Sequence, residues 1–147
     1  MKKILPGDGS MKRIHCAIKK EMKEKCRIQH EKRSPMVCVG GTARVVLKIA
    51  KTMYKLPENC QILTAEQVNN LCEILSCRDR TAANLILRQA PDRIHTIIPG
   101  LMILKHMLAY FEAEEIIVSN YGVREGYLCQ KILNAEKRDM SIPKTAN

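Results

Sequence analysis

Along residues 10–31, "SMKRIHCAIKKEMKEKCRIQHE", apolar side chains return at steps of three and four: Met11, Ile14, Ile18, Met22 and Cys26. That spacing lays one apolar stripe along a helix whose remaining faces carry lysine. Asp8 or Ser10 can cap its start. After "KRSP" the pattern changes. "MVCV", residues 36–39, is short, continuous and apolar, which reads as a buried strand. It runs into Gly40-Gly41-Thr42, and helical spacing resumes to about Lys55, with Val46, Leu47, Ala50 and Met53 on one side. Leu56-Pro57 ends that helix, because the residue before proline disfavours helical angles. "LTAEQVNNLCEIL" opens with Thr64 and Gln67 in capping-box spacing, followed by an apolar stripe of Val68, Leu71, Cys72 and Leu75. Residues 78–90 suggest a short helix or turn.

In "IIPGLMILKHMLAYF", Pro99 stands near a helix start, and the helix is apolar on most faces, so it should be deeply buried. "EEIIVS", residues 114–119, is a second strand, rich in β-branched residues. Asn120-Tyr121-Gly122 turns the chain into a last helix, "VREGYLCQKIL", and residues 135–147 form a polar tail. Strands alternating with helices predict an α/β fold, helix-rich, with a small, mostly parallel sheet of two or three strands. "MKKIL" at residues 1–5 is the candidate for a third, edge strand. Two clear strands are few for this length, so the sheet reads as part of a larger one.

Composition narrows the class. The 147 residues are 46% apolar, enough for a globular domain with its own core. No apolar run reaches the roughly 18 residues of a membrane helix, and the N-terminal apolar stretch is too short for a secretory signal, so the expected location is cytoplasmic. Seven cysteines (16, 26, 38, 60, 72, 77, 129) include no Cys-x-x-Cys pair, and the four histidines form no ligand motif. They read as reduced, mostly buried thiols and structural imidazoles, with no metal site. The formal net charge is +10, of which residues 1–33 hold +7 (11 Lys/Arg against 4 Asp/Glu). A basic segment attracts polyanions, or simply gives a helix a solvated face. Four Tyr and one Phe offer little for base stacking, so nucleic acid is a weak candidate.

The chemistry concentrates where strands hand over to helices. At Gly40-Gly41-Thr42 the backbone amides of a helix start could face a phosphate; the alternative is a tight turn with Thr42 as cap. Arg124 has a planar fork that suits phosphate oxygens, and Glu125 beside it either joins such a site or answers the helix dipole. Arg80, Arg88 and Arg93 lie in or near an irregular stretch and are further candidates.

Three segments, "VGGTAR" (39–44), "RIHTIIPG" (93–100) and "SNYGVREG" (119–126), resemble in order and spacing the exopolyphosphatase / guanosine-pentaphosphate phosphohydrolase (Ppx/GppA) family, over residues 10–134. His95 departs from it, standing where many members carry Asp. The resemblance implies an actin/Hsp70/sugar-kinase-like architecture of two ribonuclease-H-like halves. Residues 1–134 would be part of the second half, an incomplete ribonuclease-H-like domain, and 135–147 a tail. It implies substrate-binding roles for Gly40, Gly41, Thr42, Arg93, Arg124 and Glu125, toward polyphosphate or guanosine pentaphosphate. No catalytic residue is assigned, since the phosphate loops and catalytic glutamate of a first half are not recognisable; Asp8-Gly9-Ser10 reads as a cap. Magnesium would serve the intact enzyme and not this chain alone. The implied partner is that first half or a second copy, and the rival reading is a non-catalytic interaction or dimerisation module.

Overall fold

The computed structural model describes residues 8–25, 34–77 and 80–139. Its centre is strand β3 (Glu115–Ser119), which pairs on both edges. On one side lies β1 (Met36–Val39), parallel, in register from Met36 opposite Ile116 to Val39 opposite Ser119. On the other lies β2 (Ile62–Thr64), antiparallel, with Ile62 opposite Ile117 and Thr64 opposite Glu115. The sheet is therefore mixed, with order β1-β3-β2. β2 is its third described strand; the N-terminal "MKKIL", the expected edge strand, lies outside the described residues. β2 escapes sequence reading because it is three residues long and Thr64 also caps the next helix.

Strand alternation divides the sheet into unlike faces. Ile116, Val118, Leu63 and Cys38 are buried on one of them, under the helices. On the other, Val37 is 62% exposed, Val39 54% and Ile62 45%. "MVCV" is thus not the fully buried strand its composition suggests: among the described residues, no layer covers that second face.

Helices α2 (Gly41–Tyr54), α3 (Ala65–Ser76), α4 (Arg80–Gln89) and α5 (Ile97–Tyr110) supply the core layer. Their stripes meet as the 3.6-residue period requires, burying Val46, Leu47, Ile49 and Ala50 of α2 with Val68, Leu71, Cys72 and Leu75 of α3. Ala82 and Ile86 of α4 join Ile97, Ile98 and Leu101 of α5 in the same core. Each fully buried Leu or Ile contributes about 1.5–3 kcal/mol. The Thr64–Gln67 box closes as expected: the Gln67 amide donates to Thr64 Oγ1 at 3.2 Å, and the Thr64 amide donates to Gln67 Oε1 at 3.0 Å.

α1 (Asp8–Lys25) lays Met11, Ile14 and Ile18 against the core, and its His15 ring meets His106 of α5. Residues 26–33, where the predicted helix was to end, lie outside the described set. α5 is less buried than its composition suggests, since Ile103 faces solvent. α6 (Val123–Asp139) runs past the predicted start of the tail at 135, and Val123, Tyr127, Leu128 and Ile132 on it are exposed. The cysteines also depart from expectation. Cys38 and Cys72 are buried, but Cys16, Cys77 and Cys129 are exposed. Among the described residues, no helix is long and apolar enough to cross a membrane.

Ile116 carries the central strand with no exposed surface. Ile116→Ala should cost about 2–5 kcal/mol in urea unfolding, whereas Ile103→Ala should stay within about 1 kcal/mol. Equal losses would contradict the central position of β3.

Candidate functional site

Because β1 and β3 are parallel, both chains leave the sheet at the same end. β1 passes through Gly40 into α2, and β3 through Asn120-Tyr121-Gly122 into α6. Two helix N-termini, each with unpaired backbone N–H groups and the positive end of a helix dipole, therefore start side by side. Such strand ends are where open α/β sheets hold ligands. A cavity of about 520 Å³ opens there, lined by Val39, Ser119, Tyr121, Gly122, Glu125 and Cys129 among others.

The two junctions are built differently. Gly40 is the N-cap of α2 at φ 120°, a left-handed angle that favours glycine, and it brings no capping side chain. The first turn of α2 has no acidic residue. Thr42 is not the cap that sequence reading offered as an alternative, because the helix has already begun at Gly41. Its methyl instead presses on α5: a Cβ at Gly100 would lie 2.4 Å from Thr42 Cγ2. Gly100 is glycine so that α5 can pass this close to the start of α2.

Gly41 has the matching role toward Arg93. A Cβ at position 41 would sit 2.6 Å from Arg93 Nη2 and 3.1 Å from Nη1, so the guanidinium lies against the bare glycine backbone. Arg93 belongs to a short 3₁₀ turn, Pro91–Arg93, just before α5. Its Nε faces Asp92 Oδ2 at 3.7 Å, and its terminal nitrogens are the ones on Gly41. Asp92, not residue 95, gives this arginine a carboxylate; His95 is exposed. A cation is thus held at a helix N-terminus, like sign against like, in a first turn without an acid. That arrangement suits a bound anion.

At α6 the anion is already present within the chain. The Gly122 amide donates to Glu125 Oε2 at 2.7 Å, closing the first turn. Backbone N–H groups of Glu125 and Gly122 hold the Glu125 carboxyl below its ordinary range, and Arg44 and Arg124 act in the same direction. Glu125 thus makes the first-turn contact that its helix-dipole reading calls for.

The structure brings Gly41, Thr42, Arg93 and Gly100 into one cluster, with Gly40 shaping its turn. It brings Glu125, Gly122 and Arg124 into another. Arg44, in the first turns of α2, joins the two through its field on Glu125. Arg44 lies within "VGGTAR", and its place one turn after the glycines is the sequence signal for its part here. Asp92 was missed because only its neighbour carries a motif. Arg88 is not part of the site, since it lines a separate cavity with Thr52 and Met53 near the far end of α2. Arg80 is exposed at the opening of α4.

Gly100→Ala should destabilise the fold by about 1–3 kcal/mol through the Thr42 methyl, and adding Thr42→Ser should recover most of that loss. Strict additivity in thermal unfolding would rule the contact out. For Glu125, a lowered folded-state pKa means its capping contribution is complete above about 4.5 and fades as pH falls through the depressed value. The Gly122 amide resonance should titrate with a midpoint below 4.5, and this step should vanish in Glu125→Gln.

The sequence model of the Ppx/GppA phosphatase family matches residues 2–135. Among solved structures, the crystal structure of the Aquifex aeolicus member of the Ppx/GppA protein family is similar, with a TM-score of 0.67 and 24% identity over 88% of this chain. A structural study of the Aquifex aeolicus PPX-GPPA enzyme and a crystal structure of the type II variant of the Aquifex aeolicus Ppx/GppA phosphatase each give 0.62 and 24% over 84%. The chain spans 42%, 41% and 41% of those three chains. No curated protein sequence matches it.

Proposed function

The chain belongs to the Ppx/GppA phosphatase family, and from that premise we propose that it supplies the anion-facing wall of a cleft for polyphosphate or a guanosine polyphosphate. The observation that carries this reading is the Arg93 guanidinium laid on Gly41 at the acid-free start of α2. An anionic phosphate oxygen placed there would meet the free amides of α2 and the terminal nitrogens of Arg93. It would balance a cation and a helix dipole that otherwise repel. The dipole's share is about 0.3–1 kcal/mol when exposed, and the arginine fork adds directional hydrogen bonds. Arg44 and Arg124 extend the positive field beside it.

The wall is proposed to be inactive alone. Attack of water on a phosphoric anhydride needs a carboxylate free to take a proton. Glu125 is a poor base here, since backbone N–H groups hold its carboxylate and its affinity for a proton is lowered. Asp92 faces Arg93. Magnesium belongs to the intact enzyme in this reading, where one or two carboxylates and the substrate's own phosphates would hold it and it would neutralise phosphate charge.

The second reading, an interaction or dimerisation module, is favoured by one specific observation, the uncovered sheet face of Val37, Val39 and Ile62. The two readings separate in one set of measurements.

Long-chain polyphosphate should bind the purified chain with a steep salt dependence. Arg93→Ala and Gly41→Ala should weaken it about tenfold, or about 1.4 kcal/mol, with Arg88→Ala unchanged. Magnesium-dependent phosphate release should be absent. Release that disappears in Gly41→Val would instead place a catalytic base within this chain. Absence of polyphosphate binding, together with a dimer that Val39→Lys dissolves, would favour the second reading.

A further inference from the structure

A second cavity, of about 420 Å³, lies between α1, α3 and α5. Its α5 residues, Met102, Lys105, His106 and Ala109, come after the turn that holds Gly100, so it is separate from the Arg93 cluster. Its volume is that of a small-molecule pocket. Met11, Met102, Ala109 and Cys72 give it apolar walls; burial pushes the Cys72 thiol up, which keeps it protonated and unreactive.

Four of the six polar residues around this cavity, His15, Lys19, Lys105 and His106, are basic. The His15 and His106 rings meet edge to face with centroids 4.6 Å apart. His106 Nδ1 lies 2.7 Å from the Met102 carbonyl oxygen, which can only accept, so this nitrogen carries a proton and the ring is fixed in place. Lys19 reaches in from α1 and Lys105 from α5. From α3 come Ser76 and Glu73, the one acid in the lining, which lies 3.8 Å from Lys105. Burial, then the charges of His106, Lys19 and Lys105, make His15 harder to protonate than an ordinary histidine. One carboxylate thus stands against two ammonium groups and two imidazoles, over apolar walls.

A polyphosphate would leave those walls unfilled, and a neutral hydrocarbon would leave the cations unbalanced. We propose that this cavity binds an amphiphilic monocarboxylate of the medium-chain fatty-acid kind, its head group beside Lys19 and the His15–His106 pair and its hydrocarbon body against Met11, Met102 and Ala109. The bound carboxylate favours the protonated histidine, so binding takes up a proton. Affinity rises as pH falls from 8 to 6.

The test is calorimetry on the full chain with decanoate and with decanol, at pH 8 and pH 6. Circular dichroism follows the fold of each variant. Decanoate should bind about tenfold more tightly than decanol, tighten at pH 6, and weaken severalfold in Lys19→Ala. Ala109→Trp, at an exposed helical position, should fill the cavity and abolish binding with the helical signal intact. The proposal fails if decanol binds as well as decanoate, if Ala109→Trp binds normally, or if the folded chain binds decanoate at neither pH. Polyphosphate binding should be the same in Ala109→Trp as in the unchanged chain, which separates this pocket from the cleft wall.

Discussion

The rest of the structure depends on the parallel pairing of β1 with β3. Antiparallel neighbours would send their following helices to opposite ends of the sheet. In parallel register, Val39 opposite Ser119, both helices begin at one end. A parallel pair needs a long crossover, and here residues 40–114 form it and make most of the core. The crossover holds Arg93 and Gly100, so the connection that permits the pairing also carries side chains back to the end it creates. Glycine then sets the distances. Without a Cβ at 41 and at 100, the guanidinium and α5 can both lie against the first turn of α2.

Two positive helix ends in one place raise an electrostatic problem that the chain answers in two ways. At α6 an internal carboxylate, Glu125, is bound by the first-turn amides and sits in the fields of Arg44 and Arg124. At α2 there is no such carboxylate, and a cation is brought in instead. One end is neutralised by a carboxylate in its own first turn; at the other, Asp92 faces the Nε of Arg93 while the terminal nitrogens lie against Gly41. This asymmetry, more than the number of arginines, supports the cleft-wall reading.

Much of this was legible in the sequence, for physical reasons that differ by element. Helices α2, α3 and α5 bury the residues their period selects, and the Thr64–Gln67 box closes because both partners are local. The junction glycines were legible because few residues can replace them. What could not be read depended on distant neighbours. "MVCV" has the composition of a strand covered on both faces, yet nothing local says whether a second layer will come. β2 exists because β3 offers it an edge. Arg93 reaches Gly41, and Arg44 acts on Glu125, only once turns and a crossover far apart in sequence have formed. Likewise Thr42 resembled a cap until α5 packed on it.

Among the described residues, β1 and β2 share no hydrogen bonds with each other, and each pairs only with β3. Met36 finds its partner at Ile116, across most of the chain. During synthesis, then, no part of this sheet can zip up until the segment after α5 has been made, although the helices before it can already collapse together. Closing so long a loop costs chain entropy that local contacts do not repay, which makes sheet closure the slow step of folding. Until then the backbone of β1 offers an unpaired edge to any other nascent chain, so the order in which the elements are made is itself a hazard that this topology must survive.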